Sequence, residues 1–288
     1  MLNKLVVIGV GLIGGSFALD LRRAGLVREV IGVGRSRENL ERALQLGVVD
    51  AISQDAAEAV RGADMVLLAT PVGQMGPVLA SIAASLPRAA LVSDGGSTKR
   101  DVAALYRQYL GDSLDRCVPA HPIAGSDLSG AAAARYSLFE QRKVVLCPLP
   151  ETSPEASERV AALWRSCGAE VLALSPEQHD AVFAAVSHLP HLLAFAYMNA
   201  VLARDDAETC LSLAASGFRD FTRIAGSHPE MWRDIAMANR DGLLRDLQAY
   251  RAQLDDTIAL LEAQDAEGLA ERFDRASAAR VAWSKARS

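Results

Sequence analysis

Short apolar runs alternate with stretches of helical period through residues 1–174. The runs at 4–8, 29–33, 63–69, 89–93, 117–120, 144–147 and 170–174 are apolar without the polar alternation of a half-exposed strand, and so read as strands covered on both faces. Between them, 17–24, 37–46, 74–86, 99–109 and 155–167 read as helices, and the short connections predict a mostly parallel, doubly wound α/β sheet. From Ser175 onward the pattern is helical with almost no strand candidate. Residues 176–188 predict one helix, which Ser187-His188-Leu189-Pro190-His191 interrupts, and 192–202 predict the next. Ser227-His228-Pro229-Glu230 reads as a helix start with Ser227 as N-cap. Leu243, Leu247, Tyr250, Leu254, Ile258 and Leu261 mark one apolar face of a long helix, and 266–286 predict a last one. The pattern divides the chain at 174/175, into an α/β part and an all-helical part.

The first turn carries chemistry. Strand 4–8 leads into Gly9-Val10-Gly11-Leu12-Ile13-Gly14, a Gly-x-Gly-x-x-Gly pattern between a strand and a helix, as a dinucleotide-binding turn of the Rossmann type requires. Gly9, Gly11, Leu12, Ile13 and Gly14 are therefore expected at a cofactor pyrophosphate. The second strand ends without the carboxylate that grips the ribose hydroxyls of NAD. It ends instead in Gly34-Arg35-Ser36-Arg37, where two guanidinium groups flank a hydroxyl and can hold a 2′-phosphate. NADP is thus favoured over NAD; the alternative has Arg35 stacking on the adenine and Arg37 solvated. Ser36 also fits the N-cap of the following helix. Thr70-Pro71, after a third strand, is expected to line the same cleft.

His121-Pro122-Ile123-Ala124-Gly125-Ser126 follows the run 117–120, which puts a histidine at the carboxyl end of a strand, where open α/β folds place their ligands. An imidazole there can take or give a proton near neutral pH. Ser97, after strand 89–93, either caps the next helix or turns its hydroxyl across the cleft.

Half of the 288 residues are hydrophobic and the formal net charge is −5, so a sizeable core is expected and a general nucleic-acid binder is not. No membrane span and no signal peptide are expected, and four scattered cysteines fit reduced thiols in a cytoplasmic protein. No metal site is expected. A helical half this apolar suggests a two-fold homodimer.

Together Gly9-x-Gly11-Leu12-Ile13-Gly14-Gly15-Ser16, Asp94-x-x-Ser97-x-Lys99, His121-Pro122-Ile123-Ala124-Gly125, Ser187-His188-Leu189-Pro190-His191 and Phe218-Arg219-Asp220-Phe221-Thr222-Arg223-Ile224-Ala225 resemble the prephenate/arogenate dehydrogenase family of tyrosine biosynthesis, over nearly the whole chain. The resemblance implies oxidative decarboxylation of a cyclohexadienol bearing a ring carboxylate, with hydride passing to NAD(P). It implies His121 as the base, Ser97 as a group orienting histidine and hydroxyl, and Arg223 as the cation for the carboxylate. It places His191, Ser126 and Asp127 at the substrate and brings Trp232 to the border of the site, of its own or the neighbouring subunit. From the residues alone, Trp232 reads as core or dimer seam, His188 as structural, and His179 and His228 as exposed or capping. Another two-domain hydroxyacid dehydrogenase would want a lysine in the helical half, and 175–284 have none. A non-catalytic NADP(H) sensor would not need His121, Ser97 and Arg223 together.

Overall fold

Val6 and Ile8 pack to one side of the first strand and Leu5 and Val7 to the other, so the apolar run is buried on both faces as its composition requires. The computed structural model describes residues 1–125 and 128–286, and Ser126 and Asp127, two of the expected substrate contacts, lie outside the described residues. In chain order the elements begin β1 (Leu2–Ile8), α1 (Leu12–Arg23), β2 (Val27–Val33), α2 (Arg37–Gln45), β3 (Ala51–Ser53), α3 (Ala56–Ala59), β4 (Met65–Leu68), α4 (Val72–Ile82), β5 (Leu91–Asp94) and α5 (Arg100–Tyr109). Then follow β6 (Cys117–Val118), β7 (Ala120–Pro122), β8 (Lys143–Leu146), α6 (Pro154–Ser166) and β9 (Glu170–Ala173).

Six strands form a parallel sheet in the order β3-β2-β1-β4-β5-β6. The order reverses between β1 and β4, and the crevice at their carboxyl ends is where such sheets bind ligands. One core, with Phe17, Leu21, Phe139 and Trp164, covers one face; another, with Leu79, Tyr106 and Ile235, covers the other.

The expected strand 117–120 is not one strand. It breaks at Pro119, which has no N–H to give a ladder. β6 stays in the parallel sheet, while β7 pairs antiparallel with β8 in a second sheet of order β7-β8-β9. His121 therefore sits within β7, opposite Val145, rather than on a loop past a strand end.

The helical part holds α7 (Pro176–Phe183), a π turn (Ala184–His188), α8 (Leu189–Leu202), α9 (Ala207–Ser212), α10 (Ser216–Thr222), a 3₁₀ turn (Arg223–Gly226), α11 (Pro229–Ala238), α12 (Arg240–Glu262) and α13 (Ala266–Lys285). The expected interruption at 187–191 is not a break. Pro190 cannot donate, and its ring crowds the carbonyl four residues back; one wide π turn absorbs both and the helical run continues. By length and composition that run, Pro176–Leu202, could cross a membrane, but His179 and Asp180 on it are buried and hydrogen-bonded within the protein. The N-cap of α11 is His228, not Ser227, and Pro229 occupies the first turn.

By internal contacts the chain forms two compact units, Met1–Arg240 and Asp241–Ser288, whereas 174/175 is where the class of secondary structure changes. The second unit is built on the two long helices. Asp265 caps α13 by accepting from Gly268, and Arg272 binds Asp256 and the Gln253 side chain. Leu254, Ile258, Leu261, Phe273 and Trp283 are exposed on it.

Candidate active site

The crevice between β1 and β4 is a cavity of about 1020 Å³ lined by Gly9, Val10 and Gly11, by Gly34, Arg35 and Ser36, and by Ala69, Thr70 and Pro71, among others. Gly9 has a φ of +100°, and a Cβ there would sit 2.6 Å from the Ala69 carbonyl. A Cβ on Gly14 would sit 2.6 Å from the Gly9 carbonyl oxygen, so only glycine lets α1 approach β1 this closely. A Cβ on Gly11 would meet nothing within 4 Å. Gly11 is the N-cap of α1, which has no side-chain cap and no acidic residue in its first turn. Its free N–H groups and positive end suit a pyrophosphate. These residues fit a dinucleotide.

At the far end of the cavity Ser36 caps α2 by accepting from the Asn39 N–H, and Arg37 pairs with Glu41 one turn on, away from the lining. Asp55 also lines this end, but its carboxylate accepts from Glu58 at the start of α3. Arg35 is the guanidinium that the lining presents here.

The second group of residues is centred on His121. Its Nδ1 lies 2.8 Å from His179 Nε2, and His179 Nδ1 lies 2.8 Å from Asp180 Oδ1. Phe183 packs on both imidazoles, with ring centroids 4.8 Å and 4.4 Å away. His179, expected to be exposed or capping, is fully buried. Both His179 and Asp180 escape sequence reasoning, because nothing in the chain signals that α7 packs against a strand some 58 residues earlier. Burial acts against the Asp180 carboxylate, but hydrogen bonds from His179 and from the Arg100 and Lys99 N–H groups outweigh it and hold its pKa below the usual range. Asp180 thereby caps α5 from another helix, while Ser97 lies upstream of the N-cap residue, Lys99.

This chain assigns the tautomers. An ionised Asp180 accepts the His179 Nδ1 proton, His179 Nε2 then accepts from His121 Nδ1, and His121 Nε2 is left with its lone pair. Burial, followed by the neighbouring charges of His179, Lys99 and His188, pushes His121 well below its ordinary pKa, so it is neutral.

The π turn decides what else faces this point. On a regular helix His188 would lie about 180° and His191 about 120° around from His179; the one extra residue removes about 100°, leaving about 80° and 20°. His188 is buried and accepts at Nδ1 from Asn239, whose amide also binds the Asp180 carbonyl, and the Ser97 backbone neighbours the ring. His191 donates Nδ1–H to the Ser187 carbonyl and stacks on Trp232, centroids 3.5 Å apart, so Trp232 is buried and also borders this face. Arg223, at the start of the 3₁₀ turn beside α8, is near enough for its charge to add to the burial that lowers the His191 pKa. The crevice, His121, His191 and Arg223 thus belong to one compact unit.

Models of two families of domain match the chain. "Prephenate dehydrogenase, nucleotide-binding domain" covers residues 17–173, and "prephenate dehydrogenase, dimerization domain" covers 175–275. The chain is 36% identical to the prephenate dehydrogenase of Bacillus subtilis (strain 168), over 96% of its own length and 75% of that protein. It superposes on the crystal structure of prephenate dehydrogenase from A. aeolicus in complex with hydroxyphenyl propionate and NAD+ with a TM-score of 0.91, at 32% identity and covering 98% of both chains. On Synechocystis arogenate dehydrogenase the TM-score is 0.82 at 32% identity, covering 97% of this chain and 99% of that one.

Proposed function

This chain belongs to the prephenate dehydrogenase family, and we propose from that premise the roles its own residues take. It oxidises and decarboxylates prephenate, arogenate or both, giving 4-hydroxyphenylpyruvate or tyrosine. The bound dinucleotide supplies the hydride acceptor. Gly9, Gly11, Leu12, Ile13 and Gly14 hold its pyrophosphate on the bare N-terminus of α1, and Thr70 and Pro71 form the opposite wall.

The observation that carries the mechanism is the His121–His179–Asp180 chain of hydrogen bonds. It leaves one nitrogen, His121 Nε2, to take the hydroxyl proton as the carbinol C–H bond gives up its hydride. The bond to the ring carboxylate then breaks, its electrons complete the aromatic ring, and carbon dioxide leaves. The imidazolium that forms is stabilised through His179 by the Asp180 charge. Ser97 orients hydroxyl and imidazole. Arg223 grips the ring carboxylate with its guanidinium fork, and His191, held flat on Trp232, meets the substrate's side-chain end together with Ser126 and Asp127.

NADP is preferred, with Arg35 and Ser36 as the 2′-phosphate site; Arg37 is tied to Glu41 and supports rather than contacts it. Residues 1–174 bind the nucleotide, and 175–288 bind substrate and form a cytoplasmic homodimer. The exposed apolar side chains of the last two helices are what such a dimer covers.

Steady-state kinetics with prephenate and arogenate, each with NAD and NADP, tests the substrate and cofactor assignments. His121→Asn should lose roughly 10²- to 10⁴-fold in kcat with KM little changed; near-normal turnover would refute the role of His121.

A further inference from the structure

We propose that Asp94 and Lys99 are a buried positioning pair which fixes the backbone of Ala120, and so aims the imidazole of the next residue. The proposal rests on the reading of His121 as the base. β7 is an edge strand of its sheet, and its outward N–H and C=O groups have no neighbouring strand to bind. At Ala120 two side chains take the place of that strand. Asp94 Oδ1 accepts from the Ala120 N–H at 3.1 Å, and Lys99 Nζ donates to the Ala120 carbonyl at 2.7 Å. The two side chains are ion-paired with each other and fully buried. Asp94 is itself fixed by the Gly96 N–H at 2.8 Å and by the Tyr106 hydroxyl at 3.4 Å.

Lys99 also holds the ring by a second route. Its backbone N–H donates to Asp180 Oδ1 at 2.8 Å, and Asp180 orients His179, which orients His121. Backbone and ring of the base are therefore set through one residue. A buried ion pair is poor material for stability alone, since an apolar pair of the same volume usually does as well. What an apolar pair cannot do is bind the N–H and C=O of Ala120 at once, or present a fixed positive charge to the imidazole. The charged and titratable groups around His121 are His179, Asp180 and His188 from the helix side and Asp94, Lys99 and the Cys147 thiol from the sheet side. Among them, the Lys99 charge works with burial and the other histidines to keep His121 neutral.

The test uses the full-length enzyme with Lys99→Met and with the double substitution Asp94→Asn/Lys99→Met. The double variant leaves no unpaired buried charge if the single one fails to fold. The expected result is a kcat about 100-fold lower, as for a reacting group displaced by roughly an ångström, with dinucleotide Kd by calorimetry unchanged. In Lys99→Met alone, loss of the lysine charge makes His121 easier to protonate, so the acid limb of that variant's kcat/KM profile should move to higher pH. A folded double variant with wild-type kcat overturns the proposal, even if its melting temperature falls, because the pair would then serve stability alone. His121→Asn run in parallel separates the two ideas. If it keeps turnover, the reading of the base fails; if it loses turnover while the double variant does not, only the positioning role fails.

Discussion

Asp180 accepts three hydrogen bonds, from His179 and from two backbone N–H groups at the start of α5. An asparagine there would keep one acceptor oxygen and set an NH₂ donor against a group that is itself an N–H donor. The ring of His179 would then have to turn or change tautomer, and His121 Nδ1–H would lose its acceptor. Asp180→Asn should therefore lower kcat by a hundredfold or more, by analogy with serine-protease triads whose aspartate becomes asparagine, at roughly 10⁴-fold. Dinucleotide binding should be untouched, and a kcat near wild type would show that the hydrogen-bond chain does not set the tautomer. At this scale the sequence is readable where a residue's role is local. Gly9 and Gly14 follow from the turn they must make, and Ser36 from the helix it caps. His179 and Asp180 are not readable, because their roles come from partners on β7 and α5.

The element that does most to assemble the site is the π turn Ala184–His188. The apolar period predicts helix on both sides of it, and the proline marks the place, but period and proline alone point to a break. Only the register shows that one extra residue returns His188 and His191 to the face of His179. Val186 lies in this turn and is 67% exposed, which makes it the residue to remove. Deleting Val186 together with Pro190→Ala, so that no proline clash is left, should restore a regular helix with the three histidines still aligned and should retain turnover. Inserting one alanine after Val186 should swing His188 and His191 by about 100° and abolish turnover, while the nucleotide crevice still binds its ligand. Equal damage from deletion and insertion would show that register is not what the turn provides. β7 is the other element the pattern misplaces: one proline splits an apolar run between two sheets, and no periodicity reports which sheet receives each half.

For the whole molecule, burying neutral histidines makes stability depend on pH. His121, His179 and His188 are all held below their ordinary pKa, burial being the largest cause in each, and His188 is pushed down to about 4. In the unfolded chain each takes up its proton near pH 6.5. Between those values the unfolded state binds more protons than the folded one, so stability is fully present above about pH 6.5 and falls as pH drops toward 4. His188 alone accounts for roughly 3 kcal/mol over that window. Asp20 and Asp101, whose carboxyls burial raises, act in the opposite direction but nearer the carboxylate range. The urea midpoint should therefore fall between about pH 7 and pH 5 with the slope of the transition unchanged. A midpoint that stays level across that interval would mean that the histidines take up protons in the folded protein as they do in the unfolded chain, and that burial does not hold them neutral.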